Sequence, residues 1–249
     1  MKTLIIDNSN SRTKFAIADG AVLTEWRHVM ETQSISQKTL QVALEGVVYE
    51  QVVLCSVVPD KRDVMKQYFT QPLHIITSES LLDIRISYPY PAQIGADRLA
   101  NSEAAYKKYG APCVVIDSGT AVTFDVVDAD GAYSGGVIAP GLGLMCDYFV
   151  EKTALLPKLQ PSEPESYIGK STLEAMNIGA IAGFRGLIRE ILTGISHEMS
   201  QPVRVIATGG DAELLFRGIN RIEVVDQDLT LEGILRIGLL NFDNILDKS

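Results

Sequence analysis

The stretch LIIDNSNSRTKFAI, residues 4–17, runs three apolar residues into an aspartate, turns through Asn and Ser, passes two basic residues and returns to apolar alternation. Two readings fit. One is a β-hairpin with polar turn residues. The other is a turn built to hold a phosphate, because small and polar residues after a buried strand let backbone N–H groups approach an anion closely.

The same pattern returns once. CVVIDSGTAVTFDVVDADGAYSGGVI, residues 113–138, is a strand ending in Asp117, a polar turn, a second strand through Val127, an Asp-Gly turn and a third strand. VRVIATGG, residues 203–210, is a further buried strand with a small-residue exit, comparable to 51–56 in the first half. The chain therefore reads as a duplication. Strands are expected at 4–7, 13–18, 22–28, 51–58 and 74–77, and helices at 39–48, 60–68 and 98–109. Helices following strands imply a mixed sheet covered by helices in each half. No linker separates the halves, so the boundary is placed near 109–112, with one lobe over 1–110 and the other over 111–249. Residues 160–166, QPSEPES, read as the clearest exposed loop.

Bulk properties narrow the class. The chain has 249 residues, 46% of them hydrophobic, enough for a sizeable core. The net charge of −9 speaks against a nucleic-acid partner, which needs a basic face. Cys55, Cys113 and Cys146 lie in apolar surroundings without CxxC spacing, so buried free thiols are expected. No apolar run reaches membrane-spanning length and the N-terminus turns polar too soon for a signal peptide, so a cytoplasmic protein with no membrane partner is expected. His28, His74 and His197 have no ligand spacing and receive no role.

Asp7 and Asp117 each stand at the carboxyl end of a strand, where ligands bind in α/β sheets. Paired carboxylates beside a phosphate hold a cation; the alternative is that both cap hairpins. In VIATGGDAEL, residues 205–214, the Gly-Gly pair would let the backbone approach a flat ring, though an ordinary strand-to-helix turn reads the same way. In YPYPAQIGADRLANSEAAY, residues 88–106, Gly95 permits a close turn and Asp97 and Arg98 open a helix. Asp97 suits a helix N-terminus, and Arg98 beside it offers a planar fork of donors for a carboxylate. A carboxylate base next to a carboxylate binder suits a substrate carrying both a hydroxyl and an acid.

These segments resemble the actin–hexokinase–Hsp70 superfamily: α/β, with duplicated RNase H-like (actin-like ATPase) lobes and ATP clamped between them. Taken in order with GGVIAPGL, TALLP and IGKST, they resemble type III pantothenate kinase from residue 4 to about residue 237. The resemblance implies transfer of the ATP γ-phosphate to the primary hydroxyl of pantothenate, the first step to coenzyme A. By position, Asp97 would be the general base. Arg98, Gly95, Ala96, Tyr88, Thr153 and Thr172 would contact pantothenate. Asp7, Asn8, Ser9, Asn10, Ser11, Arg12, Thr13 and Lys14 would form the first phosphate loop, and Thr120 would touch ATP phosphates. Asp117 would bind a monovalent metal ion, potassium, or ammonium, and Mg²⁺ would arrive with the nucleotide. A homodimer with a shared active site is implied.

Duller readings stand beside these. Thr172 and Thr153 also suit caps, Tyr88 a rim position and Lys14 a solvated strand. The glycines of GGVIAPGLGL, residues 135–144, are read as allowing close approach to a ligand, with packing as the alternative. The first loop departs from the family, which carries glycine where Ser9 stands. That matters if the position needs positive φ; ATP binding is expected to persist, slightly weakened. A non-catalytic regulator of the same fold and a kinase for another small molecule are the competing functions.

Overall fold

The computed structural model describes residues 1–246. Two compact units emerge. The first comprises Met1–Gly110, Gly131–Ser134 and, of the described residues, 228–246; the second comprises Ala111–Asp130 and Gly135–Gln227.

In the first unit, β1 (Lys2–Asn8), β2 (Arg12–Asp19), β3 (Val22–Glu31), β4 (Gln51–Ser56) and β5 (Leu73–Ile75) form a sheet of order β3-β2-β1-β4-β5. β2 runs antiparallel to β1 and β3, while β4 lies parallel to β1 and β5. The central strand β1 is buried on both faces, which explains its unbroken apolar run. Side chains alternate across a strand. Leu4 and Ile6 thus pack with Leu40 of α1 (Gln37–Ala43) and Met65 of α2 (Pro59–Tyr68). Ile5 faces the other way, toward Ala96 and Ala100 of α3 (Ala96–Tyr109) and Ile234 and Leu235 of α7 (Leu229–Leu246).

The second unit repeats the plan. Its sheet contains β7 (Cys113–Ser118), β8 (Ala121–Val127), residues 135–140 of β9 (Ala132–Pro140), β10 (Arg204–Thr208) and β11 (Val224–Val225) in the order β11-β10-β7-β8-β9. β7 pairs antiparallel with β8 and parallel with β10. One face packs on α4 (Leu142–Lys152), α5 (Thr172–Met199) and the short α6 (Ala212–Leu215), through Ile181, Phe184 and Ile188 among others. The five strands of the first sheet correspond in order to these five, so the duplication expected from the sequence is present. In the first unit, the two-residue β6 (Arg85–Ile86) pairs parallel with Ala132 and Tyr133.

Some boundaries differ from the sequence reading. The helix expected at 39–48 is α1, which starts at a capping box of Ser36 and Thr39 and ends at Ala43. Gly46 at φ +74° then turns the chain. Residues 131–134 and α7 group with the first unit rather than with 111–249. The reason is physical: α7 carries the apolar residues that cover the α3 side of the first sheet. The loop 160–166 is anchored within the second unit by Glu163, which accepts two bonds from the Arg185 guanidinium at 2.7 and 2.8 Å. The three cysteines are buried thiols outside any disulfide, and burial pushes the Cys113 thiol up to about 12. No helix among the described residues is long and apolar enough to cross a membrane.

Candidate active site

Asp7 and Asp117 occupy equivalent places. Asp7 lies opposite Lys14 of β2 and Cys55 of β4; Asp117 lies opposite Thr123 of β8 and Thr208 of β10. Each stands one residue before its strand ends, so each carboxylate enters a hairpin loop.

In the first loop, Asp7 is buried, and that burial pushes its carboxyl above the usual range. Lys14 opposes the shift: its Nζ lies 3.7 Å from Asp7 Oδ2. Ser9 opposes it too, donating from Oγ to Asp7 Oδ1 at 2.8 Å. The concern over Ser9 does not arise sterically. Among the described residues Ser200 is the sole non-glycine with positive φ, so the Ser9 backbone suits any L-residue. The side chains expected on the phosphates divide into two groups. Asn10, Ser11 and Arg12 are exposed, whereas Asn8 and Thr13 are buried and bond to each other at 2.8 Å. Asn8 and Thr13 thus support the loop from behind.

In the second loop, Gly119 and Thr120 link β7 to β8. Gly209, at φ +101°, lies against the Ser118 backbone, and a β-carbon there would come within 2.7 Å of Asp117 Oδ1. The close approach expected of the Gly-Gly pair toward a ring is, at Gly209, an approach to the end of β7; Gly210 has open space around it. Gly141 packs on the backbone of Gly119 and Thr120, and its N–H donates to the Thr120 carbonyl at 3.0 Å. Packing, rather than ligand approach, therefore accounts for Gly141. No group of three or more His, Cys, Asp or Glu residues arranged for a metal occurs among the described residues. Asp117 has Gly119 and Gly209 beside its carboxylate, where a side chain would crowd it. A site with fewer than three such ligands fits an ion held partly by water or by substrate oxygens.

The third cluster is the N-terminus of α3. Gly95 is its N-cap and Asp97 lies in its first turn. Asp97 Oδ1 accepts the Arg98 N–H at 2.8 Å, so the carboxylate folds back over the helix end. Burial raises the Asp97 carboxyl above its ordinary 3.8, and the negative charge of Asp7 pushes the same way; the Arg98 and Asp97 N–H groups and the Arg98 charge oppose it. Ala96 points into the apolar cluster with Ile5 and Ile234, leaving only its backbone for a ligand. The Arg98 guanidinium lies 5.8 Å from the centre of the Tyr133 ring, and Tyr88 meets that ring edge-on at 6.1 Å and 77°. Ser87 fixes this arrangement, its N–H donating to the Tyr133 carbonyl at 3.0 Å.

Tyr133 was not among the candidates from sequence. It lies far from Arg98 along the chain and has no local motif. Glu103 of α3 was also missed. Fully buried, it accepts the N–H groups of Asp83 and Ile84 and so secures the chain entering β6.

In the second unit, Thr153 donates to the Phe149 carbonyl at 2.7 Å and ends α4. Thr172 is the first residue of α5, but Ser171 is its N-cap, accepting the Glu174 N–H. Both threonines are exposed.

The sequence model of the type III pantothenate kinase family matches residues 3–194. A type III pantothenate kinase of Akkermansia muciniphila is 49% identical over 234 residues, 94% of this chain and 97% of that protein. The chain belongs to the type III pantothenate kinase family. Solved structures agree on the fold. A Baf family transcriptional activator of Campylobacter jejuni aligns with a TM-score of 0.65 at 20% identity, covering 96% of this chain and 99% of that one. An activator of 2-hydroxyisocaproyl-CoA dehydratase from Clostridium difficile, with bound ADPNP, aligns at 0.57 and 12% identity, covering 100% and 97%. As a type III pantothenate kinase family member, the chain has the actin-like ATPase fold, and its two strand–Asp–hairpin units are the repeated element of that fold.

Proposed function

We propose that this protein transfers the γ-phosphate of ATP to the primary hydroxyl of pantothenate, forming 4′-phosphopantothenate on the way to coenzyme A, with Asp97 as general base. The observation that carries the reading is the α3 N-terminus. There a carboxylate with a raised proton affinity sits beside an arginine steadied on Tyr133.

Arg98 takes the pantothenate carboxylate through its fork of donors, and Tyr88 packs against the substrate. The hydroxyl proton passes to Asp97 as the phosphoryl group arrives. Phosphoryl transfer has a loose transition state, so the proton leaves late and positioning does most of the work. The raised carboxyl of Asp97 helps here, because a stronger base takes the proton more readily. The Ser9 N–H closes the hairpin on the Arg12 carbonyl, so residues 10–12 hold phosphates through backbone N–H groups, Arg12 and Lys14 add positive charge, and Thr120 contacts phosphate from the second loop. Asp117 would hold a potassium or ammonium ion, whose charge would offset that of the phosphates, and Mg²⁺ would come with the nucleotide.

The pantothenate pocket is completed by a second protomer, with Thr153 and Thr172 lining it. Leu144, Tyr148, Leu155, Tyr167, Ile168 and Leu173 are exposed on the second unit and supply an apolar surface for that association. A cytoplasmic location follows from the substrates.

The test is ADP release from purified protein with ATP, Mg²⁺ and K⁺, offered pantothenate, sugars and short hydroxy acids in turn. Turnover dependent on pantothenate supports the reading. Turnover on a sugar alone assigns the chain to another substrate, and none at all moves it to a non-catalytic role.

A further inference from the structure

The first loop is gripped from behind by a residue outside its hairpin. Thr32 opens the single turn Thr32–Ser34 that follows β3, and it is fully buried. Its Oγ1 donates to the Ser9 carbonyl at 2.6 Å, and its N–H donates to the Ser11 carbonyl at 3.0 Å.

A hydroxyl has one proton, which fixes the direction of the bonds behind it. Thr32 spends its proton on Ser9, so Thr13 donates across the 2.9 Å contact between the two hydroxyls. Thr13 in turn accepts from the Asn8 amide at 2.8 Å, and Asn8 Oδ1 accepts from Ser56 at 2.7 Å. The run Ser56, Asn8, Thr13, Thr32 therefore ends on the loop backbone. A trans peptide carries its N–H opposite its C=O. With the Ser9 carbonyl drawn toward Thr32, the Asn10 N–H points away from the buried network.

We infer that Thr32 is a positioning residue for the nucleotide: by holding the Ser9 and Ser11 carbonyls it aims the Asn10 amide outward at a phosphate. This inference rests on the kinase reading.

Calorimetric titration with ATP, without pantothenate, tests it alongside steady-state kinetics. Thr32→Val keeps the shape and removes the hydroxyl. It is expected to weaken ATP binding about tenfold, the effect of one lost hydrogen bond, and to raise the KM for ATP but not for pantothenate. Thr32→Ser keeps the contact and retains wild-type affinity. Ser56→Ala cuts the far end of the run and leaves ATP affinity within about twofold of wild type. The inference is overturned if Thr32→Val binds ATP like wild type, if Thr32→Ser loses affinity, or if Ser56→Ala weakens ATP as much as Thr32→Val does. The Thr32→Ser result stands even where Thr32→Val does not fold. Wild-type protein that binds no ATP overturns the kinase reading itself.

Discussion

Gly95 leaves room for one oxygen of Asp97: a β-carbon at position 95 would stand 2.5 Å from Asp97 Oδ1. Since Gly95 has φ −59°, an ordinary backbone angle, its requirement is space and not conformation. Gly95→Ala is therefore expected to displace the carboxylate while sparing the fold. Turnover should fall about a hundredfold, as an ångström of misplacement does elsewhere. Stopped-time assays of product and a melting curve check both halves of the expectation.

Asp97 also makes activity and stability depend on pH. Its carboxyl is raised in the folded protein, chiefly by burial. The base must be ionised to work, so kcat/KM should decline on the acid side through a limb above the ordinary 3.8. The stability sign is opposite to that of a salt-bridged carboxylate. Between the unfolded and folded values the native state holds a proton that the unfolded chain has lost, so stability falls as pH rises through that window. Asp97→Asn removes this cost, and its Tm at neutral pH should exceed that of wild type.

Tyr133 supports Arg98. Tyr133→Leu removes the ring beneath the guanidinium and the edge contact with Tyr88. The KM for pantothenate should rise about tenfold, in keeping with a cation–π contact of about 1 kcal/mol plus lost packing. The KM for ATP should stay unchanged, which initial-rate measurements in both substrates will show.

Glu103 serves the fold. Its two oxygens accept the Asp83 and Ile84 N–H groups, and Arg236 lies 3.9 Å away. Glu103→Ala leaves the buried Ile84 N–H and the half-buried Asp83 N–H without this acceptor, and about 2 kcal/mol of stability should be lost. Denaturant unfolding with an unchanged m-value is the check.

Much of the architecture is legible in the sequence because β1 and β7 carry local signals. Each is a short apolar run ending in Asp, followed by a polar turn and a strand of matching length. α7 carries no such signal for its place. Its apolar face reads as helix anywhere, and only the uncovered side of the first sheet determines where it packs. The candidate site divides in the same way. Asp97 and Arg98 stand in a recognisable segment, whereas Tyr133 and Thr32 act from β9 and from the end of β3, at distances along the chain that no spacing rule spans. Ser9 teaches the reverse: a departure from the family pattern matters through its φ, and here that angle is ordinary.

The most direct measurement is product formation from pantothenate and isotopically labelled ATP, by wild type and Asp97→Asn side by side, with ATP affinity measured for both. The account predicts labelled 4′-phosphopantothenate from wild type and a rate at least about a hundredfold lower from Asp97→Asn, with ATP still bound. Wild-type protein that leaves pantothenate unlabelled, or an Asp97→Asn variant that turns over at the wild-type rate, would contradict it.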